Sequence, residues 1–133
     1  ELQDASVCRE EWKDSADVVL CDVPCSGLGI IRKKPEIRFK NPDEIRTLPE
    51  IQARILANCA QYVKKGGTLV YSTCTILQRE NEDVVRAFLT ENPEFEAVSW
   101  THPVCGERAD GMVTLLPPVH NTDGFFIAKM YRK

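Results

Sequence analysis

An α/β fold built on a largely parallel sheet is the class this sequence predicts, on three observations. Short apolar runs bounded by polar residues recur at 17–22 and 68–72, the pattern of strands buried on both faces. Helical periodicity fills the interval between these runs and returns after the second. Strand, helix, strand, helix and strand in alternation argue for parallel neighbours joined by right-handed crossovers.

Taken in order, Asp17-Val-Val-Leu-Cys-Asp22 is the first strand, followed by a loop rich in Pro, Gly and Lys/Arg. Asn41-Pro42 is expected to cap a short helix, with the proline at a position whose N–H is not needed. Thr47-Leu-Pro-Glu50 then reads as the capping box of a main helix. That helix presents Ile51, Ile55, Leu56, Cys59, Tyr62 and Val63 on one face. Lys64-Lys65 are expected to complement its dipole and Gly66 to stop it. Thr68-Leu-Val-Tyr-Ser72 is the second strand. Asn81 opens another helix, with Glu82 and Asp83 in its first turn and Val84, Val85, Phe88 and Leu89 turned inward. Asn92-Pro93 ends it. Residues 95–100 are expected to form a third strand and Gly124-Phe-Phe-Ile-Ala-Lys-Met130 a fourth. Residues 101–121 are turn-rich and fit no regular element. No repeat, low-complexity stretch or linker interrupts the chain.

The 133 residues fit one domain or a piece of one, and 43% hydrophobic with 28% charged residues is ordinary for a soluble globular protein. No apolar run approaches the roughly 20 residues a membrane span needs. The opening Glu1-Leu2-Gln3-Asp4 lacks both an initiator Met and the basic-then-apolar order of a signal peptide, so the chain is expected to begin inside a longer product. Six cysteines occur, at 8, 21, 25, 59, 74 and 105, with no CxxC pair. Cys21 lies in an apolar run and Cys59 in a helical pattern, where reduced cysteine acts as a small hydrophobe. His102-Pro-Val-Cys105 has no second ligand pair, so no metal site is expected. These features describe a reduced, cytoplasmic protein without a membrane partner. The net charge of −3 argues mildly against a stand-alone nucleic-acid binder, yet Arg32, Lys33, Lys34, Arg38 and Lys40 crowd one loop beside a single anion, Glu36. Alone, that cluster reads as a solvated loop.

In parallel sheets ligands collect beyond the carboxyl ends of the strands. That rule singles out Asp22-Val-Pro-Cys25 and Ser72-Thr-Cys74, which end successive strands. A thiol, a nearby acid and a base drawn from its stack are what cytosine-C5 methylation calls for. Thiolate addition to C6 makes the ring an enamine able to attack an electrophilic methyl group, and a carboxyl at N3 stabilises the adduct. On residue type alone, a cysteine ending a buried strand is more often packed core, and Asp22, Pro24 and Gly27 suit a plain turn.

Asp22-Val-Pro-Cys-Ser-Gly-Leu-Gly29 together with Ser-Thr-Cys74 resembles the RNA 5-methylcytosine methyltransferase family, in its Sun/Fmu branch acting on small-subunit ribosomal RNA. The likeness extends through Gly-Gly-Thr-Leu-Val-Tyr-Ser-Thr-Cys, Glu80-Asn81 and the ending Asp-Gly-Phe-Phe-Ile-Ala-Lys. It implies the C-terminal half of a Rossmann-like methyltransferase domain over 1–133, mainly parallel with an antiparallel strand near the C-terminus. It implies S-adenosylmethionine as cofactor and 16S ribosomal RNA as partner. By the same resemblance Cys74 is the nucleophile, and Cys25 the thiol that helps release product. Asp22 contacts cofactor and base, Pro24 lies beside it, and Asp4 binds the adenosine end of the cofactor. Arg32, Lys33, Lys34, Arg38 and Lys40 then fall where RNA phosphates are met. Val23 departs from the commoner Ala. None of the seven glycines forms a GxGxxG-like loop, so the cofactor-loop half and the RNA-binding domain are expected to lie outside this chain.

Three other readings are set against this one. A DNA cytosine-C5 methyltransferase would use the Pro-Cys thiol as nucleophile and a Glu-Asn-Val element as acid, where this chain has Ser-Thr-Cys. A non-catalytic RNA-binding fragment describes what the isolated chain itself could do. A thiol redox protein lacks support, because Cys21 and Cys25 do not have the thioredoxin spacing. A missing neighbour strand is expected to leave Val18, Val19, Leu20 and Cys21 on an open edge, favouring self-association.

Overall fold

The computed structural model describes residues 3–133, and its organising feature is a parallel pair that ends two strands at one level. β1 (Ala16–Asp22) runs beside β2 (Val63–Thr73) with Asp22 opposite Ser72. α1 (Pro42–Ala60) makes the crossover between them. β7 (Phe125–Arg132) lies antiparallel along the other side of β2. Its far side is shared by β3 (Phe95–Ala97) at one end and β6 (Met112–Leu115) at the other, both antiparallel to it. β1, β2, β3 and β6 therefore point one way, and β7 runs against them. This is the expected sheet, mainly parallel with an antiparallel strand near the C-terminus.

α1 differs from the expectation of two pieces. The Asn41 side chain accepts from the Asp43 N–H at 3.0 Å, Pro42 fills the first turn, and the helix then continues unbroken through Pro49. No capping box forms, since the Thr47 hydroxyl donates back to the Glu44 carbonyl. The helix also ends earlier, at Ala60. The Gln61 and Tyr62 carbonyls are taken by the N–H groups of Asp14, Ser15 and Ala16, so Val63 already pairs with Ala16. Lys64 and Lys65 thus stand on β2, and Lys64 meets Asp17 at 3.1 Å rather than a helix end.

The third expected strand breaks at Val98. The Val98 N–H makes a last bond to the Lys129 carbonyl, while the Lys129 N–H is taken by the Gly111 carbonyl. Gly111 and β6 thereby occupy the next place along β7. The displaced chain turns into β4 (Trp100–His102), which pairs with β5 (Gly106–Arg108) in a separate ribbon. A short α3 (Pro117–His120) precedes β7.

One face of the sheet carries the core. Leu69 and Tyr71 of β2, with Phe126, Ala128 and Met130 of β7, pack against Leu56 of α1. α2 (Glu82–Glu91) adds Val84, Val85 and Phe88 to the same cluster. Each large apolar side chain so buried contributes roughly 1.5–3 kcal/mol. The opposite face is bare at β1, where Val18 and Leu20 are 63% and 67% exposed. The expectation that all four of Val18, Val19, Leu20 and Cys21 would be presented is corrected, because the two-residue period turns Val19 and Cys21 to the core side.

Candidate catalytic site

Because β1 and β2 end level, the loops that leave them emerge side by side. Val23 continues the pairing, its N–H donating to the Ser72 carbonyl at 3.2 Å. Beyond it, the sulfurs of Cys25 and Cys74 stand 3.2 Å apart. Asp22 is exposed on the adjoining rim, with Oδ1 accepting from the Ser72 hydroxyl at 2.7 Å. Gly27 (φ +77°) turns the chain inward, a conformation open to glycine at little cost. Gly29 then donates its N–H to the Cys74 carbonyl at 3.0 Å and accepts from the Gly124 N–H at 2.8 Å. Three distant segments close on one point.

A cavity of about 400 Å³ opens over the thiols, bounded by Ile30, Ile37, Lys34 and Lys40. It is large enough for a nucleobase and has both sulfurs in its wall. Burial, and then the contact with Cys74, pushes the Cys25 thiol up to about 12. Cys25 therefore stays protonated near neutrality, and its S–H is available to Cys74. Phe39, 83% exposed at the end of the same loop, has the Arg38 guanidinium 5.8 Å from its ring centre.

The five predicted RNA cations are not equivalent. Arg32 and Lys33 both face Asp123, at 3.5 and 2.5 Å. Asp123 is held below its usual pKa, chiefly by the Lys33 hydrogen bond. Lys40 turns inward to the Ser26 carbonyl at 2.8 Å. Arg38 bonds the Pro35 carbonyl through Nε, and the Lys34 side chain has no hydrogen bond or ion pair among the described residues. Asp22, Pro24, Cys25 and Cys74 are brought together as expected. Asp4 is not joined to them by any hydrogen bond among the described residues. Its Oδ1 accepts from the Ser6 N–H and hydroxyl at 2.9 and 2.8 Å, which lowers its pKa. Its neighbour Ala5 is fastened to Asn58 of α1.

Sequence reasoning missed a buried polar layer beneath the thiols, made by Gln52, Glu80 and Asn81. It also missed Asp123 as the partner of the basic loop. Asp123 had a signal, since it opens the Asp-Gly-Phe-Phe run already noted. The buried acid had one as well, since Glu80-Asn81 belongs to the same likeness, but polarity patterns place glutamate outside and so hid its burial.

The profile described as "16S rRNA methyltransferase RsmB/F" matches residues 2–131. The chain belongs to the 16S rRNA methyltransferase RsmB/F family. Among RsmB/F relatives, the "Probable ribosomal RNA small subunit methyltransferase B" of Bacillus subtilis (strain 168) is 44% identical over 140 residues, all of this chain and 31% of that protein. The solved protein PH0851 superposes with a TM-score of 0.89 at 37% identity, over 98% of this chain and 30% of that one. NSun6 from Pyrococcus horikoshii, solved with SFG, gives 0.72 at 27% identity, over 85% of this chain and 29% of that one. The chain thus spans under a third of the length of these RsmB/F and related proteins.

Proposed function

We propose that the full-length protein transfers a methyl group from S-adenosylmethionine to C5 of a cytosine in 16S ribosomal RNA, through a covalent bond between Cys74 and C6. The observation that carries this reading is the pair of thiols 3.2 Å apart at two level strand ends, beside the rim carboxylate of Asp22. Bound S-adenosylmethionine supplies the electrophilic methyl group. The residues here fit one wall for it: Asp22 and Pro24 are exposed, and Asp22 has one oxygen held by Ser72 while its other accepts no hydrogen bond among the described residues. Asp4 completes the proposed cofactor contacts.

Cys74 adds to C6, and the displaced electron pair makes C5 nucleophilic. As the adduct forms N3 takes up a proton, and Asp22 is the carboxyl group assigned to deliver or hold it. Release requires loss of the C5 proton and cleavage of the Cys74–C6 bond. In this reading Cys25 serves that half of the reaction, its S–H protonating the departing Cys74 sulfur 3.2 Å away while water takes the C5 proton. The open β1 edge and bare Val18 and Leu20 are what the isolated chain would shield by self-association. Bisulfite sequencing of 16S ribosomal RNA, with and without the gene, tests the reading. One protected cytosine should become convertible in the deletion; an unchanged pattern would refute the substrate.

RNA contact by the loop has two separable signatures. Removing Lys34 and Arg38 charges should flatten the log–log salt dependence of binding by about 0.7 per lost single-strand contact. Phe39→Ala should leave that slope alone and weaken binding by roughly 1–3 kcal/mol, the range for a lost stacking platform. Filter binding by the full-length protein over a KCl series distinguishes them, and a loop that only solvates the surface would change neither.

A further inference from the structure

Glu80 and Asn81 are fully buried, lie next to each other in sequence, and belong to no strand of the sheet. Glu80 serves the Cys25 loop. Its Oε2 accepts from the Ser26 N–H at 2.9 Å and from Gln52 Nε2 at 2.9 Å, and the same Gln52 nitrogen donates to the Pro24 carbonyl at 3.0 Å. The residues on both sides of Cys25 are thus tied to one carboxylate–amide unit. Asn81 serves the Cys74 loop. Its Nδ2 donates to the Thr75 carbonyl at 3.0 Å, and its Oδ1 accepts from the Thr73 hydroxyl at 2.6 Å. Those are the residues on both sides of Cys74.

We propose that Glu80 and Asn81 form a positioning pair that sets the separation of the two thiols, a role that rests on the methyltransfer reading above only for its effect on rate. One planar peptide joins the two residues, so each loop is referenced to the same short rigid segment. Tyr71 fixes that segment to β2, its hydroxyl donating to the Glu80 carbonyl at 2.6 Å. A direct tie between the loops, Ser26 Oγ to Thr75 Oγ1 at 2.8 Å, completes the frame.

Stability alone does not account for this arrangement. Asn81 precedes α2 where a side-chain cap is normally made, yet it makes none. Oε1 of Glu80 and Oε1 of Gln52 are buried without a hydrogen-bond partner among the described residues, a cost that an apolar pair would avoid. What the arrangement secures is geometry at the sulfurs.

The test uses the full-length protein without RNA and reads thiol proximity directly. Diamide takes one hydrogen from each of Cys25 and Cys74, forming a disulfide while itself becoming the hydrazine. Peptide mass spectrometry follows the loss of two hydrogens. Asn81→Asp keeps the acceptor for Thr73 but removes the donor to Thr75, and should slow cross-linking at least tenfold. Glu80→Leu should do the same, whereas Glu80→Gln, which keeps an acceptor oxygen, should stay within about threefold of wild type. In the methylation assay Asn81→Asp should lower kcat tenfold or more with KM for RNA within twofold. Should Glu80→Leu fail to fold, Asn81→Asp and Glu80→Gln still decide. Wild-type cross-linking rates in Asn81→Asp, or a wild-type protein whose thiols do not cross-link, would overturn the proposal. Absence of methyl transfer in the wild type would instead defeat the functional reading and leave the cross-linking result standing.

Discussion

Cys74→Ala in the full-length protein should abolish methyl transfer, while Cys25→Ala should leave a protein–RNA complex that survives denaturing electrophoresis. The asymmetry follows from which thiol can attack. Burial and the contact with Cys74 hold the Cys25 thiol protonated near neutrality. On the proposed reading Cys74 is the sulfur that adds to C6, with Cys25 3.2 Å from it. Without Cys74 no described side chain at the cavity replaces it, and a rate loss on the order of 10⁴-fold or more is expected, as for other covalent nucleophiles. Without Cys25 the attack still proceeds but release fails, so the adduct accumulates. Gel-shifted, label-bearing protein counted after denaturation reads both outcomes. Trapping by Cys74→Ala instead would reverse the two roles and revive the assignment used by DNA enzymes.

Gly29→Ala should be among the most destabilising single changes in the chain. A Cβ at Gly29 would stand 2.0 Å from the Gly124 oxygen, 2.6 Å from the Gly124 carbon and 2.8 Å from the Cys74 oxygen. All three obstacles are backbone, so no side-chain rotation relieves them. The loop must leave either the start of β7 or the Cys74 turn, breaking the bonds Gly29 shares with Gly124 and Cys74. Two hydrogen bonds at about 0.5–1.5 kcal/mol each, with about 1–3 kcal/mol of overpacking, give a loss of roughly 2–6 kcal/mol. In a protein the size of the relatives that is roughly 2–6 °C in Tm. Gly27→Ala is the contrast, since its Cβ meets the flexible tip of Ile37 at 3.0 Å and the cost is mainly the positive φ, about 1–2 kcal/mol. Thermal unfolding of the three proteins compares them directly. Equal melting temperatures for wild type and Gly29→Ala would mean that these segments do not meet.

Where local chemistry decided the structure, the sequence was readable. The apolar runs at 17–22 and 68–72 became parallel strands joined by the α1 crossover, and their ends located both thiols. Tertiary competition hid the rest. Thr47 and Glu50 look like a helix start, but Asn41 and Pro42 supply a start one and a half turns earlier. Lys64 and Lys65 look like a helix end, but the N–H groups of residues 14–16 take the last carbonyls first. Asn81 looks like a cap, yet its amide is drawn to Thr73 and Thr75 across eight and six residues of chain. No periodicity announces such a choice, since it depends on which acceptor comes near after folding.

β7 is the last of the described elements to leave the ribosome, yet β3 and β6 depend on it for pairing and β2 for its second edge. Until it arrives, the parallel pair of β1 and β2 can form, while β3 and β6 have no strand to join. The Gly29 carbonyl likewise waits for the Gly124 N–H. Vectorial synthesis therefore delays closure of the thiol loops until Gly124 and β7 have been made. A translation product halted before Gly124 would carry Cys25, Cys74 and the basic loop, but the turns that hold the two thiols would lack the Gly124 fastening.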